Sequence, residues 1–324
     1  MYDLIIIGAG PAGLSMAAEA RSNGIPKDKL LVLEKGEAHS WSIRKFYPDK
    51  KLVEANYKGL PAVCSGVLCI SDMSKDETLS YLDHAIEEHQ IDVRYGETVS
   101  AIKQLEDGHF ELRANQQDYQ ARVCVIAIGI LGKPNKPDYK VPPKLRKRVH
   151  YDVTSEAFTD QEILVVGGGD SASEYAQYLV QGGNRVSLSY RRQSFDRMTS
   201  LNRTSLEALA ERGQVQLYRG SNIAGLEEDA EQALVKFVEA EHGERRFDQI
   251  VYALGGTTPT NFLHEVGIDF EGEHPAVTKG YETNLHGLYL IGDLTPASGS
   301  IILAFNTAHE AMHDICKTHL GCAK

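Results

Sequence analysis

The chain has no hydrophobic run long enough to cross a bilayer, so a membrane span is excluded as its organising feature. It also has no positively charged leader. Met1 opens directly into the strand-like Tyr2-Asp3-Leu4-Ile5-Ile6-Ile7, so no secretory signal is expected and a cytoplasmic location is. An excess of cations is missing too. Lys and Arg number 34 against 45 Asp and Glu, a formal net charge of −11, which argues against nucleic acid as the main partner. Cysteine is sparse: Cys64, Cys69, Cys124, Cys316 and Cys322 stand in C-x4-C and C-x5-C spacings that match neither a zinc site nor a redox C-x-x-C. They are expected to be buried or incidental thiols. The twelve histidines form no recognisable metal constellation, so no metal site is expected, and His150 and His309 are read as structural or surface residues and not as catalytic ones.

What is present is an alternation of apolar runs and helical stretches, the pattern of an α/β protein with parallel sheets. Strands are expected at Asp3–Ile7, Leu30–Leu33, Val99–Ile102, Phe110–Ala114 and Arg122–Ile128, with helices at Pro11–Asn23 and Thr78–His89. Four prolines then fall within Lys133–Pro143 and mark a linker. Beyond it a second βα series begins at Glu162–Val166. It continues through a strand at Val186–Tyr190, a helix at Leu201–Arg212, a strand at Gln214–Tyr218, a meander from Ala224 to Phe247 and a strand at Ile250–Leu254. Gly255-Gly256 signals another boundary, followed by a strand at Leu288–Ile291 and a helix over about Ser300–His319. At 324 residues two domains are the default. The organisation expected is two Rossmann-like, three-layer ββα nucleotide-binding domains, one inserted in the other: 1–132 and 256–324 as the outer domain, 133–255 as the insert.

Gly8-Ala9-Gly10-Pro11-Ala12-Gly13 lies between a strand and a helix, the context that makes G-x-G-x-x-G informative. The first glycine allows a tight turn, the second admits a pyrophosphate to the backbone, and the third lets helix and strand pack closely. The phosphate then meets the free N–H groups of the helix N-terminus. Glu34 ends the next strand, where an acid accepts hydrogen bonds from a ribose hydroxyl and repels a 2′-phosphate. Gly167-Gly168-Gly169-Asp170-Ser171-Ala172 repeats the arrangement. Here the next strand ends in Tyr190-Arg191-Arg192 with Arg197 close behind, so the position held by Glu34 reads as cationic. Arginine offers a fork for phosphate oxygens, which points to NADPH rather than NADH.

A third element, Ile291-Gly292-Asp293, closes a strand, and Ser298-Gly299-Ser300-Ile301-Ile302 opens the last helix. An acid at a strand end facing a helix N-terminus suits a polyol hydroxyl beside a phosphate or a flavin carbonyl. After the first fingerprint it completes an FAD site, with Ala127-Ile128-Gly129 as the crossover beneath the cofactor.

These elements, G-A-G-P-A-G, A-I-G, G-G-G-D-S-A, Y-R-R, Y-A-L-G-G and I-G-D, resemble in type and order the low-molecular-weight thioredoxin reductase superfamily over nearly the whole chain. The resemblance implies an FAD domain in two segments, an inserted NADPH domain and a homodimer. Candidate FAD residues are Gly8, Gly10, Pro11, Ala12, Gly13, Glu34, Lys35, Trp41, Val99, Ala127, Gly129, Gly292, Asp293, Ile301 and Ile302. Candidate NADPH residues are Gly167, Gly169, Asp170, Ser171, Ala172, Glu174, Tyr190, Arg191, Arg192 and Arg197. One departure stands out. The family's redox C-x-x-C would fall on His150 and Val153, and without it thiol–disulfide exchange at that place has no route.

Ile43-Arg44-Lys45-Phe46-Tyr47, Gly132-Lys133-Pro134-Asn135-Lys136-Pro137-Asp138-Tyr139-Lys140-Val141-Pro142, Tyr190–Met198 and Tyr252–Pro259 are similar to a narrower branch, the flavodoxin:quinone reductases. Dithiol-free relatives include ferredoxin–NADP reductases of thioredoxin reductase type and bacillithiol disulfide reductases. The implied chemistry is electron transfer between NADPH and flavodoxin, ferredoxin or a quinone, carried by the flavin, with no catalytic side chain and no metal. The alternatives are a low-molecular-weight disulfide reductase, a thiol route through Cys64 or Cys69, a flavin monooxygenase, and a flavin-based redox or NADPH sensor.

Two features are weaker. Trp41, Phe46, Tyr47 and Tyr57 cluster after the second strand, and one of them is a candidate to stack on the flavin. Lys133, Lys136, Lys140, Lys144, Arg146, Lys147 and Arg148 form a basic run in an acidic chain, a surface on which an acidic carrier could dock. The thioredoxin reductase resemblance also implies rotation of the NADPH domain about linkers near Gly132 and Gly255-Gly256.

Overall fold

The structure, a computed structural model, describes residues 1–49, 51–56, 63–130, 134–153, 156–255, 259–295 and 299–322. Tyr57, Gly132, Lys133, Gly256 and Ser298, each invoked above, lie outside the described residues. The chain folds as two compact units: Met1–Arg44, Leu52–Gly132 and Thr257–Lys324 in one, Lys45–Lys51 and Lys133–Gly256 in the other.

The first unit begins with β1 (Tyr2–Ile7), α1 (Pro11–Ser22), β2 (Leu30–Glu34), α2 (Trp41–Phe46) and the short β3 (Leu52–Val53) and β4 (Met73–Ser74). It goes on through α3 (Lys75–Glu88), β5 (Val93–Tyr95), β6 (Val99–Gln104), β7 (Phe110–Ala114) and β8 (Gln117–Ile126). Ile5-Ile6-Ile7 is an unbroken apolar run buried on both faces, as a central parallel strand requires. Accordingly β1 sits inside the order β5-β2-β1-β8-β7-β6. The long β8 changes partner along its length: Gln117–Ala121 pairs antiparallel with β7, and Ala121–Ile126 runs parallel to β1. Pro11 occupies the first turn of α1, where its missing N–H costs nothing. Ser74 and Glu77 form a capping box at α3.

The second unit comprises β9 (Val149–His150), β10 (Glu162–Val166), α4 (Asp170–Gln181), β11 (Arg185–Tyr190), α5 (Ser200–Glu211) and β12 (Val215–Arg219). It is completed by β13 (Ile223–Asp229), β14 (Gln232–Phe237), β15 (Glu244–Phe247) and β16 (Gln249–Tyr252). A parallel sheet in the order β12-β11-β10-β16-β9 carries a core on each face. On one face Ile163, Val165 and Val251 pack with Tyr175, Leu179 and Leu206 of the helices. On the other Leu164, Ile250 and Tyr252 meet Leu226, Val235 and Phe247 of the antiparallel sheet β13-β14-β15. That is the three-layer ββα arrangement. Lys45–Lys51 belongs to this unit through Lys45–Asp152, at 3.2 Å, and a Lys51–Glu174 ion pair.

The last segment returns to the first unit with α6 (Thr260–Val266), the hairpin of β17 (Phe270–Glu271) and β18 (His274–Pro275), β19 (Leu288–Leu290) and α7 (Ile301–Ile315). β19 pairs parallel with β8, and α7 packs along α1. α7 continues directly into a π-helical turn, Cys316–Leu320, so the chain is helical to the end expected from sequence, with its last turn widened. Among the described residues no helix is long and apolar enough to cross a membrane.

The cysteines depart from expectation. Cys64 is bonded to Cys69, and Cys316 to Cys322; only Cys124 is a free, buried thiol. Each pair closes a short loop whose Cα atoms lie 5.5 and 4.9 Å apart, inside the range a disulfide spans. Spacing motifs do not report such local turns.

Candidate nucleotide sites

In the first unit the turn after β1 is built by close packing. Gly8 has φ +103°, and a Cβ there would lie 2.7 Å from the Ala127 carbonyl oxygen. A Cβ on Gly13 would lie 1.9 Å from the Gly8 carbonyl oxygen. The Ala127 N–H donates to the Ile7 carbonyl at 2.8 Å, so the Ala127-Ile128-Gly129 crossover lies directly against the fingerprint. Gly10 is different: a Cβ there would meet nothing within 4 Å. No side chain caps α1, so its first N–H groups have no partner within the helix. An open glycine at an uncapped helix N-terminus fits a pyrophosphate.

Glu34 is buried and both of its carboxylate oxygens are engaged by the backbone. Its Oε2 accepts from the Ala9 N–H and its Oε1 from the Gly36 N–H, both at 2.7 Å. The carboxylate therefore props the glycine turn from the next strand, with lone pairs to spare. Behind it, Ser40 donates its N–H to the Ala9 carbonyl, and buried His39 lies 2.9 Å from Asp83. Burial and the neighbouring Arg44 push the His39 pKa down, against the pull of Asp83. Sequence reasoning passed over His39, Ser40 and Asp83, whose spacing carries no motif. Lys35 lies 5.5 Å from the Trp41 ring centroid, and Trp41 is partly exposed at the start of α2. Val99 starts β6 opposite Ala114, packed against the core.

Gly292 closes the unit's second segment onto the first. A Cβ on it would be 2.8 Å from the Ala12 Cβ, and its N–H donates to Thr307 Oγ1 at 2.9 Å. Asp293 accepts from the Gly299 N–H at 2.9 Å, and its burial raises its pKa. Ser300 Oγ accepts from the Leu303 N–H at 3.1 Å at the start of α7, ahead of Ile301 and buried Ile302. Thr307 is a further residue that sequence reasoning missed.

The second unit repeats the device. A Cβ on Gly167 would be 2.4 Å from the Ala253 carbonyl oxygen, the counterpart of Gly8 on Ala127, and Gly169 is open within 4 Å. No side chain caps α4. Ala172, in place of a third glycine, packs under Gly167. The register corrects one reading. Gly8 donates its N–H to Leu33, and Gly167 donates to Ser189, so the counterpart of Glu34 is Tyr190 and not an arginine. The Tyr190 ring fills the space beside Gly168 and stacks on Phe195 at 5.5 Å. Arg191 and Arg192 come one and two residues later, exposed, and a β-bridge to Gly169 carries exposed Arg197 to the glycine turn. Asp170 is committed within the protein: its Oδ1 accepts from the Thr199 N–H, the Thr199 hydroxyl and Asn202 Nδ2 at 2.7, 2.9 and 3.0 Å. It ties the start of α4 to the start of α5. Ser171 is exposed beside it, and Glu174 is held by Lys51 and Asn202.

His150 donates or accepts with Gln249 at 2.9 Å, and Val153 is fully buried, so the place of the family dithiol is filled by packing. Asn135 joins the two ends of the inserted stretch: its N–H donates to the Gly255 carbonyl at 2.9 Å and its Nδ2 to that of Leu254 at 3.2 Å. Away from both glycine turns, the donor atoms of Glu282, His286 and His319, which form no motif in the sequence, lie within 4.8 Å of one another.

Residues 5–292 match the family described as pyridine nucleotide-disulphide oxidoreductase. The chain belongs to that family. As a pyridine nucleotide-disulphide oxidoreductase it is an NADPH-dependent flavoprotein enzyme with FAD and NADPH as cofactors. A curated relative, ferredoxin–NADP reductase 2 of Christiangramia forsetii, is 28% identical over 320 residues, covering 95% of this chain and 86% of the relative. Among solved structures, a bacillithiol disulfide reductase from Staphylococcus aureus superposes with TM-score 0.82 at 22% identity, covering 98% of both chains. A thioredoxin reductase of Lactococcus lactis superposes at 0.79 with 22% identity and 98% coverage of each. Both share the fold of this member of the family.

Proposed function

We propose that the enzyme passes electrons between NADPH and a small redox carrier, a ferredoxin or flavodoxin, with a quinone as the small-molecule counterpart, and that it does so in the cytoplasm as a homodimer. The observation that carries this reading is the missing dithiol: no cysteine occurs between Cys124 and Cys316, so the whole second unit has none. A thiol-exchange path at the family's position is absent, and the flavin is left to hand on electrons itself. The name of the Christiangramia forsetii relative agrees.

In this proposal Gly8, Gly10, Pro11, Ala12 and Gly13 hold the FAD pyrophosphate, and Glu34 the adenosine ribose, flanked by Lys35 and Trp41. Val99, Ala127 and Gly129 line the same side, while Gly292, Asp293, Ile301 and Ile302 hold the flavin half. Gly167, Gly169, Ser171 and Ala172 hold the NADPH pyrophosphate, and Arg191, Arg192 and Arg197 the 2′-phosphate. Tyr190, Asp170 and Glu174 support that site from within the fold. Bound FAD accepts a hydride and can release electrons one or two at a time. The protein binds, orients and shields. Exposed Lys136, Lys140, Lys144, Arg146 and Lys147 offer an acidic carrier a docking face.

Purified enzyme and NADPH would be offered ferredoxin, flavodoxin, quinones, thioredoxin and low-molecular-weight disulfides. Turnover with a protein carrier, falling as salt rises, is expected. Reduction of thioredoxin or a disulfide alone would sink the proposal.

A further inference from the structure

We propose that Glu282, His286 and His319 form a binding site for a divalent d-block cation, with Zn²⁺ as the best-fitting ion. Glu282 Oε1 lies 2.9 Å from His286 Nδ1 and 2.9 Å from His319 Nε2, and all three donor atoms lie within 4.8 Å of one another. Zinc bonds of about 2.0–2.1 Å to nitrogen and oxygen in a tetrahedron place neighbouring donors roughly 3.3–3.5 Å apart. The two oxygen–nitrogen distances of 2.9 Å are thus within about half an ångström of the edges of that figure. Two imidazoles and one carboxylate also make a donor set suited to zinc and its neighbours, and poorly suited to magnesium or calcium.

The ligands are held before any ion arrives. The Gly287 N–H donates to Glu282 Oε1 at 2.8 Å and fixes the carboxylate. The backbone of each histidine is pinned from a different strand. Gln104 Nε2 donates to the His286 carbonyl at 2.8 Å, and Arg122 Nη2 donates to the His319 carbonyl at 2.9 Å while its Nη1 reaches Asp3. Tyr289 sets its ring edge-on to His319, with centroids 5.8 Å apart. These contacts fix the backbone from which each imidazole reaches Glu282. With no ion, both rings point a nitrogen at one oxygen, which the ring N–H groups satisfy. A cation takes the place of those two protons, each ring carrying its proton on the other nitrogen. His286 is exposed, so the fourth position opens to water.

His319 lies in the π-helical turn closed by the Cys316–Cys322 disulfide, which keeps both sulfurs out of the donor set. The cation would thus clip the C-terminal turn to the loop before β19.

The test uses oxidised, tag-free, chelator-treated protein dialysed against ZnCl2, with bound metal measured, and a parallel titration with Co²⁺ read by visible absorption. One equivalent of zinc per chain is expected, with tetrahedral cobalt bands. His286→Asn and His319→Asn should each weaken zinc binding by about tenfold or more. Because His286 is exposed, His286→Asn should melt like the parent in chelator, separating lost metal from lost fold. Absence of stoichiometric binding, or binding that both variants retain, would overturn the site.

Discussion

Tyr190, Arg191 and Arg192 are adjacent in sequence but have separate tasks. The parallel register puts Tyr190 opposite Glu34, and its ring occupies the space beside Gly168. The two arginines that follow are exposed, and in the proposed function they meet the 2′-phosphate. A charge-assisted hydrogen bond contributes about 1.5–3 kcal/mol. Replacing both, Arg191→Ala with Arg192→Ala, should therefore raise the KM for NADPH roughly 10- to 100-fold and leave that for NADH nearly unchanged. Equal losses for both nucleotides in steady-state assays would remove these residues from phosphate recognition. The basic character of this turn was legible in the sequence. The one-residue offset was not, because it depends on which carbonyl Gly167 bonds. The internal roles of Asp170 and Glu174 escaped for a similar reason: their partners, Thr199, Asn202 and Lys51, are remote in the chain.

At the scale of elements, the three glycines of the first turn are not equivalent. Gly13 faces the Gly8 carbonyl at a distance no Cβ tolerates, whereas Gly10 faces open space. Gly13→Ala should therefore cost about 3 kcal/mol or more of stability, since a buried turn cannot widen cheaply. Gly10→Ala should melt like the parent as apoprotein yet bind FAD at least tenfold more weakly, because the added methyl sits where the pyrophosphate approaches. Differential scanning fluorimetry and flavin absorbance separate the two, and FAD retained by Gly10→Ala would discredit the assigned phosphate path. The βα units were readable because strand, glycine turn and helix are contiguous. α2, β3, β4, β9 and the β17–β18 hairpin were not, being too short to show a period. The helical stretch to His319 was readable from composition, but its change from α to π after Ile315 was not.

For the whole molecule, two disulfides stand in a chain expected to keep its thiols reduced. Cys124 lies within β8 at the centre of the sheet, where burial drives its pKa far up and leaves it unreactive. A thiol reagent should therefore find no rapidly reacting cysteine in native, oxidised protein, one after denaturation, and five after denaturation with a reductant. Two or more thiols in the native protein would show that the pairs are reducible in the isolated enzyme, and would reopen the thiol route through Cys64 and Cys69.

The sequence alone determined the α/β class, the two dinucleotide turns and the lack of a dithiol in the second unit, because each is a matter of residues close together in the chain. Only the tertiary structure decided which residue stands opposite Glu34, that Gly292 closes on Ala12, that Lys45–Lys51 packs with the second unit, and that Glu282, His286 and His319 meet. Those facts depend on strand register and on contacts between distant segments. Local propensity and spacing carry no information about either.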